Sequence, residues 1–132
     1  MKQFLLISLF IISFIFILYV FISADQGKLP QFLQQFYHFP LGDKIGHLLL
    51  MGLFALIIQS IAIKICKRRQ TQKIILISSL VLGIILTIEE CSQLILPTRN
   101  FSFLDLTFTY LGIILATILN ITFWKHRSYS IS

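Results

Sequence analysis

Charge is scarce in this chain. Asp, Glu, Lys and Arg make up 12% of its 132 residues, about half of the roughly 25% found in soluble domains. A water-soluble domain is thereby excluded. Carboxylates are scarcest, with five Asp and Glu against eleven Lys and Arg. Cysteine is limited to Cys66 and Cys91. They fall at opposite ends of different apolar runs, roughly 30 Å apart across a bilayer, which excludes a disulfide. Cys91 is read as a small packing residue. Also missing are GxxxxGK[ST], HExxH, CxxC and GxSxG. Their absence argues against P-loop nucleotide hydrolysis and the common zinc and serine hydrolase sites, and no cofactor is expected. There is no internal repeat, and no polar stretch is long enough for a second, soluble domain.

What is present is apolar. Hydrophobic residues are 57% of the chain, gathered in runs at 4–22, 45–63, 74–96 and 103–124. Each approaches the roughly 20 residues that span a bilayer as a helix. Backbone groups in lipid must bond internally, so the fold class is all-α, a membrane bundle of four transmembrane helices. The chain divides into a first anchor (1–24), an outer loop (25–42), a three-helix core (43–124) and a cytoplasmic tail (125–132). The net charge of +6 does not signal nucleic acid, because the excess sits in the 64–73 connection and at the termini. Positive charge in short loops holds them in the cytoplasm. The expected protein is therefore multi-pass in the plasma or inner membrane, with both termini cytoplasmic and 23–44 and 97–102 outside. The first run exceeds the 7–15-residue apolar core of a cleaved signal peptide and reads as a retained signal anchor. Cleavage after Ala24 is the alternative.

Within the first outer loop, Pro30 suits a first helical turn. Phe32, Leu33, Phe36 and Phe39 then oppose Gln31, Gln34 and Gln35. The pattern predicts a short amphipathic helix lying in the outer interface, with an irregular aromatic-rich loop as the alternative. Pro40-Leu41-Gly42 turns the chain into the second span. Small and polar residues form one stripe on the third span (Ser79, Gly83, Thr87, Glu90) and another on the fourth (Ser102, Asp105, Thr109, Gly112, Ala116, Asn120). Such stripes mark the sides that pack on other helices. Trp124 falls where an interfacial aromatic belongs.

All five carboxylates, Asp25, Asp43, Glu89, Glu90 and Asp105, fall at span ends that share one side, joined only by Lys28, Lys44 and Arg99. Asp43 and His47 share a helix face at i, i+4. The plainer reading of that pair is a helix cap with an interfacial histidine. Glu90 continues the small stripe and should point inward, where an ionisable group needs a partner. Glu89, rotated by about 100°, should be solvated or snorkel to the headgroups. Pro97 should end the third helix, Ser102 cap the fourth, and Arg99 reach Glu90 or Asp105.

These residues resemble the VanZ-like family, small polytopic bacterial membrane proteins. The resemblance rests on DKxxH opening a span (Asp43, Lys44, His47), ExxQ closing the next (Glu90, Gln93), and a Pro-x-Arg turn with an aspartate (Pro97, Arg99, Asp105) before Gly112. It covers roughly residues 40–116. Two positions depart: Thr109 stands where the family usually has asparagine, and Thr98 replaces a familiar glycine. The founding member is associated with low-level teicoplanin resistance, so the resemblance implies a role in the cell envelope.

Three classes of function follow. In the first, the outer cluster handles a ligand or catalyses: Asp43, His47, Glu90 and Asp105 exchange protons, and Lys44, Gln93, Arg99 and Thr109 bind substrate. The partners are membrane lipids or a lipid-linked cell-wall precursor. A metal version would use the same four proton-exchanging residues, but transition-metal sites favour more His or Cys. In the second, the cluster only latches the bundle or binds a partner. The third, a small transporter or proton relay, is weakest, because the inner half offers only Gln59, Thr117 and Asn120 as polar groups.

Overall fold

In the computed structural model the chain forms five α-helices. They are α1 (Lys2–Asp25), α2 (Gln31–Tyr37), α3 (Gly42–Ile65), α4 (Thr71–Ser92) and α5 (Phe103–Tyr129), with a 3-10 turn at Gln93–Ile95 continuing α4. The structure describes residues 2–37, 39, 41–66, 70–95 and 101–129, excepting the side chains of 2, 3, 6, 25, 36, 37 and 126–129. No strand occurs among them. The stretches Ile7–Ala24, Gly42–Ile65, Thr71–Ile95 and Phe103–Lys125 are each long and apolar enough to cross a membrane, making this a multi-pass membrane protein. Pro40, Pro97, Thr98, Arg99 and Asn100, with Lys67, Arg68 and Arg69, lie outside the described residues.

α3 is the hub. It packs on α5 over its length and also contacts α4, α1 and α2. The core gathers Ile17 from α1, Met51, Phe54 and Ala55 from α3, Leu82 and Leu86 from α4, and Ile113 and Ala116 from α5. Phe10 and Phe14 of α1 stack on Phe54 with ring centroids 5.8 and 6.2 Å away. Leu80, Ile84, Ile88, Ile118 and Leu119 point outward. Burial of apolar surface does not drive helices together in lipid, so close packing and polar contacts must.

The closest packing is at Gly52 and Gly112, where α3 and α5 touch through their backbones. A Cβ on Gly112 would lie 2.5 Å from the Leu48 carbonyl oxygen, and one on Gly52 would lie 3.2 Å from the Gly112 oxygen. Both expected stripes face inward: Gly83 meets Tyr110, while Glu90, Thr109, Ala116 and Asn120 are buried.

Local chemistry sets the helix ends. α1 closes in a Schellman motif: Lys28 N–H bonds Ser23 O at 2.8 Å, and Gly27 N–H bonds Ala24 O at 2.9 Å. Gly27, at φ 66, takes the left-handed position that glycine tolerates best. α5 starts with Ser102 as its cap, the serine Oγ accepting the Asp105 N–H at 3.2 Å.

Several expectations need correction. Pro30 precedes α2, its carbonyl accepting from Leu33 and Gln34 N–H at 3.0 Å. α4 ends at Ser92 and its 3-10 turn at Ile95, and the expected stop at Pro97 lies outside the described residues. Asp43 is not the cap of α3. Leu41 holds that position at φ 64 with no side-chain cap bond, in a conformation costing a non-glycine residue about 1–2 kcal/mol. Cys91 is exposed and packs on nothing inside, since the inward side of that turn belongs to Glu90.

Candidate functional site

The end of the bundle formed by α2, the starts of α3 and α5 and the close of α4 carries the acidic residues. Lys44 sits between two carboxylates there. It pairs with Asp43 and lies 3.3 Å from Asp105 Oδ1. That oxygen is buried and accepts no well-aligned hydrogen bond, so Lys44 acts on it as a nearby charge. His47 lies one turn further along α3. Its Nε2 is 3.9 Å from Asp105 Oδ2, and its Nδ1 is 3.2 Å from Thr109 Oγ1. Asp105 and Thr109 are one turn apart on α5, and the Gly52–Gly112 crossing holds them against α3. Thus Asp43, Lys44, His47, Asp105 and Thr109 converge.

The arrangement orders hydroxyl, imidazole and carboxylate in a row. A neutral ring satisfies both contacts if Nε2–H faces Asp105 and Nδ1 accepts from Thr109. The same ring can hold or release a proton between a carboxylate and a hydroxyl. At 3.9 Å the imidazole–carboxylate pair is longer than a hydrogen bond, so proton exchange along it requires closer approach.

Glu90 and Gln93 go elsewhere. Glu90 is 2% exposed. Its Oε1 accepts the Ser102 N–H at 3.1 Å, and its Oε2 accepts Gln93 Nε2–H at 3.4 Å. Gln93 also donates to Glu89 Oε1 at 3.3 Å, and Glu89 is half-buried. This group ties the close of α4 to the cap of α5, and Ser102 in turn holds the amide of Asp105. None of the described contacts of Glu90 reaches Asp43, Lys44, His47 or Asp105. Arg99, expected to join them, lies outside the described residues.

Asp43 and His47 form the polar end of a groove of about 310 Å³ between α1 and α3. Phe16, Val20, Leu50 and Leu53 line its apolar length, and Leu33 of α2 borders it. This end of the bundle therefore carries two polar groups, an open half at Asp43 and His47 and a closed half at Glu90 and Gln93.

A second polar group, deeper in the bundle, escaped the sequence reading as a connected unit. Gln59 is fully buried. It donates to Ser79 Oγ at 2.9 Å and Thr117 Oγ1 at 3.0 Å, and accepts from Asn120 Nδ2 at 2.8 Å. Asn120 also donates to the Leu56 carbonyl at 3.3 Å and accepts from Ser60 at 3.4 Å. Gln59 and Asn120 thus use both amide hydrogens, and the network joins α3, α4 and α5. A glutamine amid an apolar run, with Ser79 and Asn120 on stripes facing it, was the available signal. Comparison with known protein families, with curated proteins and with solved structures finds no match for this chain.

Proposed function

We propose that this is a VanZ-like protein of the bacterial cell membrane whose acidic end binds, or acts on, a cell-envelope lipid or lipid-linked cell-wall precursor. One observation carries the proposal: Asp43 and His47 stand at the polar mouth of an apolar groove between two membrane helices. A lipid is the molecule with a polar head and an apolar body that meets such a surface. His47, backed by Asp105 and Thr109, is the proton-handling group. Lys44 and Arg99 are the cations for a phosphate. Lys44 already serves two carboxylates, which favours a head that brings a hydroxyl or ammonium beside its phosphate. The basic bias of the 64–73 connection supports an acidic end outside the cytoplasm, with α2 lying in the outer interface. Kinship with the VanZ-like family is supported by the meeting of Asp43, Lys44, His47 and Asp105, and it links the chain to glycopeptide resistance.

The test is lipid-dependent stabilisation of the purified protein. A ligand at a hundred times its Kd adds about 2.7 kcal/mol. Phosphatidylethanolamine or a polyprenyl phosphate should raise the unfolding temperature of the wild type, and His47→Gln and Asp43→Asn should abolish the rise. An unchanged rise in both variants would remove the cluster from lipid handling.

A structural role suits the closed half better. Glu90 spends both oxygens on Ser102 and Gln93. It positions α5, and with it Asp105, rather than exchanging protons with a ligand.

A further inference from the structure

We infer that the groove between α1 and α3 holds one hydrocarbon chain of the lipid whose head meets Asp43 and His47. The inference rests on the lipid reading of the acidic end and adds where the lipid's tail goes. Three features of the groove commit it to this occupant. The first is its lining, which is apolar apart from Asp43 and His47 at one end. Phe16 and Val20 of α1 face Leu50 and Leu53 of α3, within stretches apolar enough to lie in hydrocarbon. The surrounding medium is then lipid chain rather than water. The second is length. The α3 wall runs from Gly42 to Leu53, about 16 Å at 1.5 Å a residue. That is close to half of the roughly 30 Å hydrocarbon thickness, the depth one leaflet's chain reaches. The third is volume. At about 310 Å³ the groove is about twice the 150 Å³ apolar cavity that takes up a benzene, suited to a chain and too small to enclose a polar head as well.

The groove also has a shaped upper end. Leu33 of α2 borders it beside Gly42 and Ala24, and α2 rests on α3. A chain rising along α3 is therefore directed to the turn carrying Asp43 and His47. Leu80, Ile84 and Ile118, on the outward faces of α4 and α5, do not line this groove.

The experiment uses the full chain in vesicles of phosphatidylethanolamine and phosphatidylglycerol. These carry a trace of a phospholipid with a photoreactive group at the end of one acyl chain. Labelling is expected to concentrate on Phe16, Leu50 and Leu53, above that on Leu80, Ile84 and Ile118. Leu53→Trp closes the deep end at a position already 54% exposed, so the fold should tolerate it. It is expected to lower groove labelling about tenfold, equivalent to about 1.4 kcal/mol of lost contact. Leu80→Trp, on the outward face of α4, should leave groove labelling unchanged. Even labelling of all outward faces, or equal loss from Leu80→Trp, overturns the chain site. The two readings fail separately. Groove labelling alongside stabilisation indifferent to His47→Gln keeps the chain site and removes the head-group reading. Stabilisation sensitive to His47→Gln with evenly spread labelling removes the chain site alone.

Discussion

Replacing Gly112 by alanine should destabilise the protein, although the same change inside a helix ordinarily helps. Glycine in a helix interior is worse than alanine by roughly 0.5–1 kcal/mol. At Gly112 the added methyl would lie 2.5 Å from the Leu48 carbonyl oxygen and 3.0 Å from the Gly52 nitrogen, where ordinary contact begins at 3.4 Å. Both neighbours are backbone, so α3 and α5 must part by most of an ångström. Overpacking of this kind costs about 1–3 kcal/mol. The expected net loss is therefore on the order of 1 kcal/mol. Leu48 adjoins His47, and Gly112 lies one turn from Thr109, so the same movement takes the 3.2 Å His47–Thr109 contact beyond hydrogen-bond range. Gly83→Ala is the control. Its methyl would meet the Tyr110 side chain first, at 3.0 Å, and a side chain held by hydroxyl bonds to Thr87 and the Gly83 carbonyl gives way at less cost than two helix backbones. Unfolding by SDS titration, followed by circular dichroism, should rank wild type and Gly83→Ala above Gly112→Ala. Lipid-dependent stabilisation should fall in Gly112→Ala as well. A Gly112→Ala protein as stable as wild type would show that the backbone crossing does not set the α3–α5 distance.

Gln59→Leu should cost about 2 kcal/mol in the same titration, since it removes three contacts at about 0.6 kcal/mol each. Adding Asn120→Leu should restore part of the loss by removing the stranded partner, and a neutral Gln59→Leu would show that the network is idle. Glu90→Gln should lower stability and function together, because an amide replaces the carboxylate that accepts from both Ser102 and Gln93; lost function at full stability would instead make Glu90 a proton donor or acceptor. In a Cys66→Ser, Cys91→Ser background, Gln26→Cys should react with an impermeant thiol reagent on intact cells. Cys66 alone should react only after permeabilisation, and the reverse pattern would invert the topology.

The four spans, the acidic end and the inward stripes are legible in the residues alone. Hydrophobic length, loop charge and small-residue spacing are local properties, and a bilayer acts on each of them directly. The Ser102 cap of α5 was readable for the same reason, since it depends on residues one turn apart. Which polar groups meet was not readable. Glu90 and Asp105 lie on stripes of equal appearance, yet Glu90 turns to the Ser102 amide while Asp105 faces Lys44 and His47. Glu89 is bonded, Cys91 looks outward, and Gln59 joins three helices for a related reason. Each outcome depends on the rotation and separation of whole helices, set for α3 and α5 where the backbones of Gly52 and Gly112 touch and for α4 by its own packing on both. A shift of an ångström at that crossing moves the His47–Thr109 contact between α3 and α5. Local sequence determines that a polar side chain faces the bundle, and only helix packing determines what it finds there.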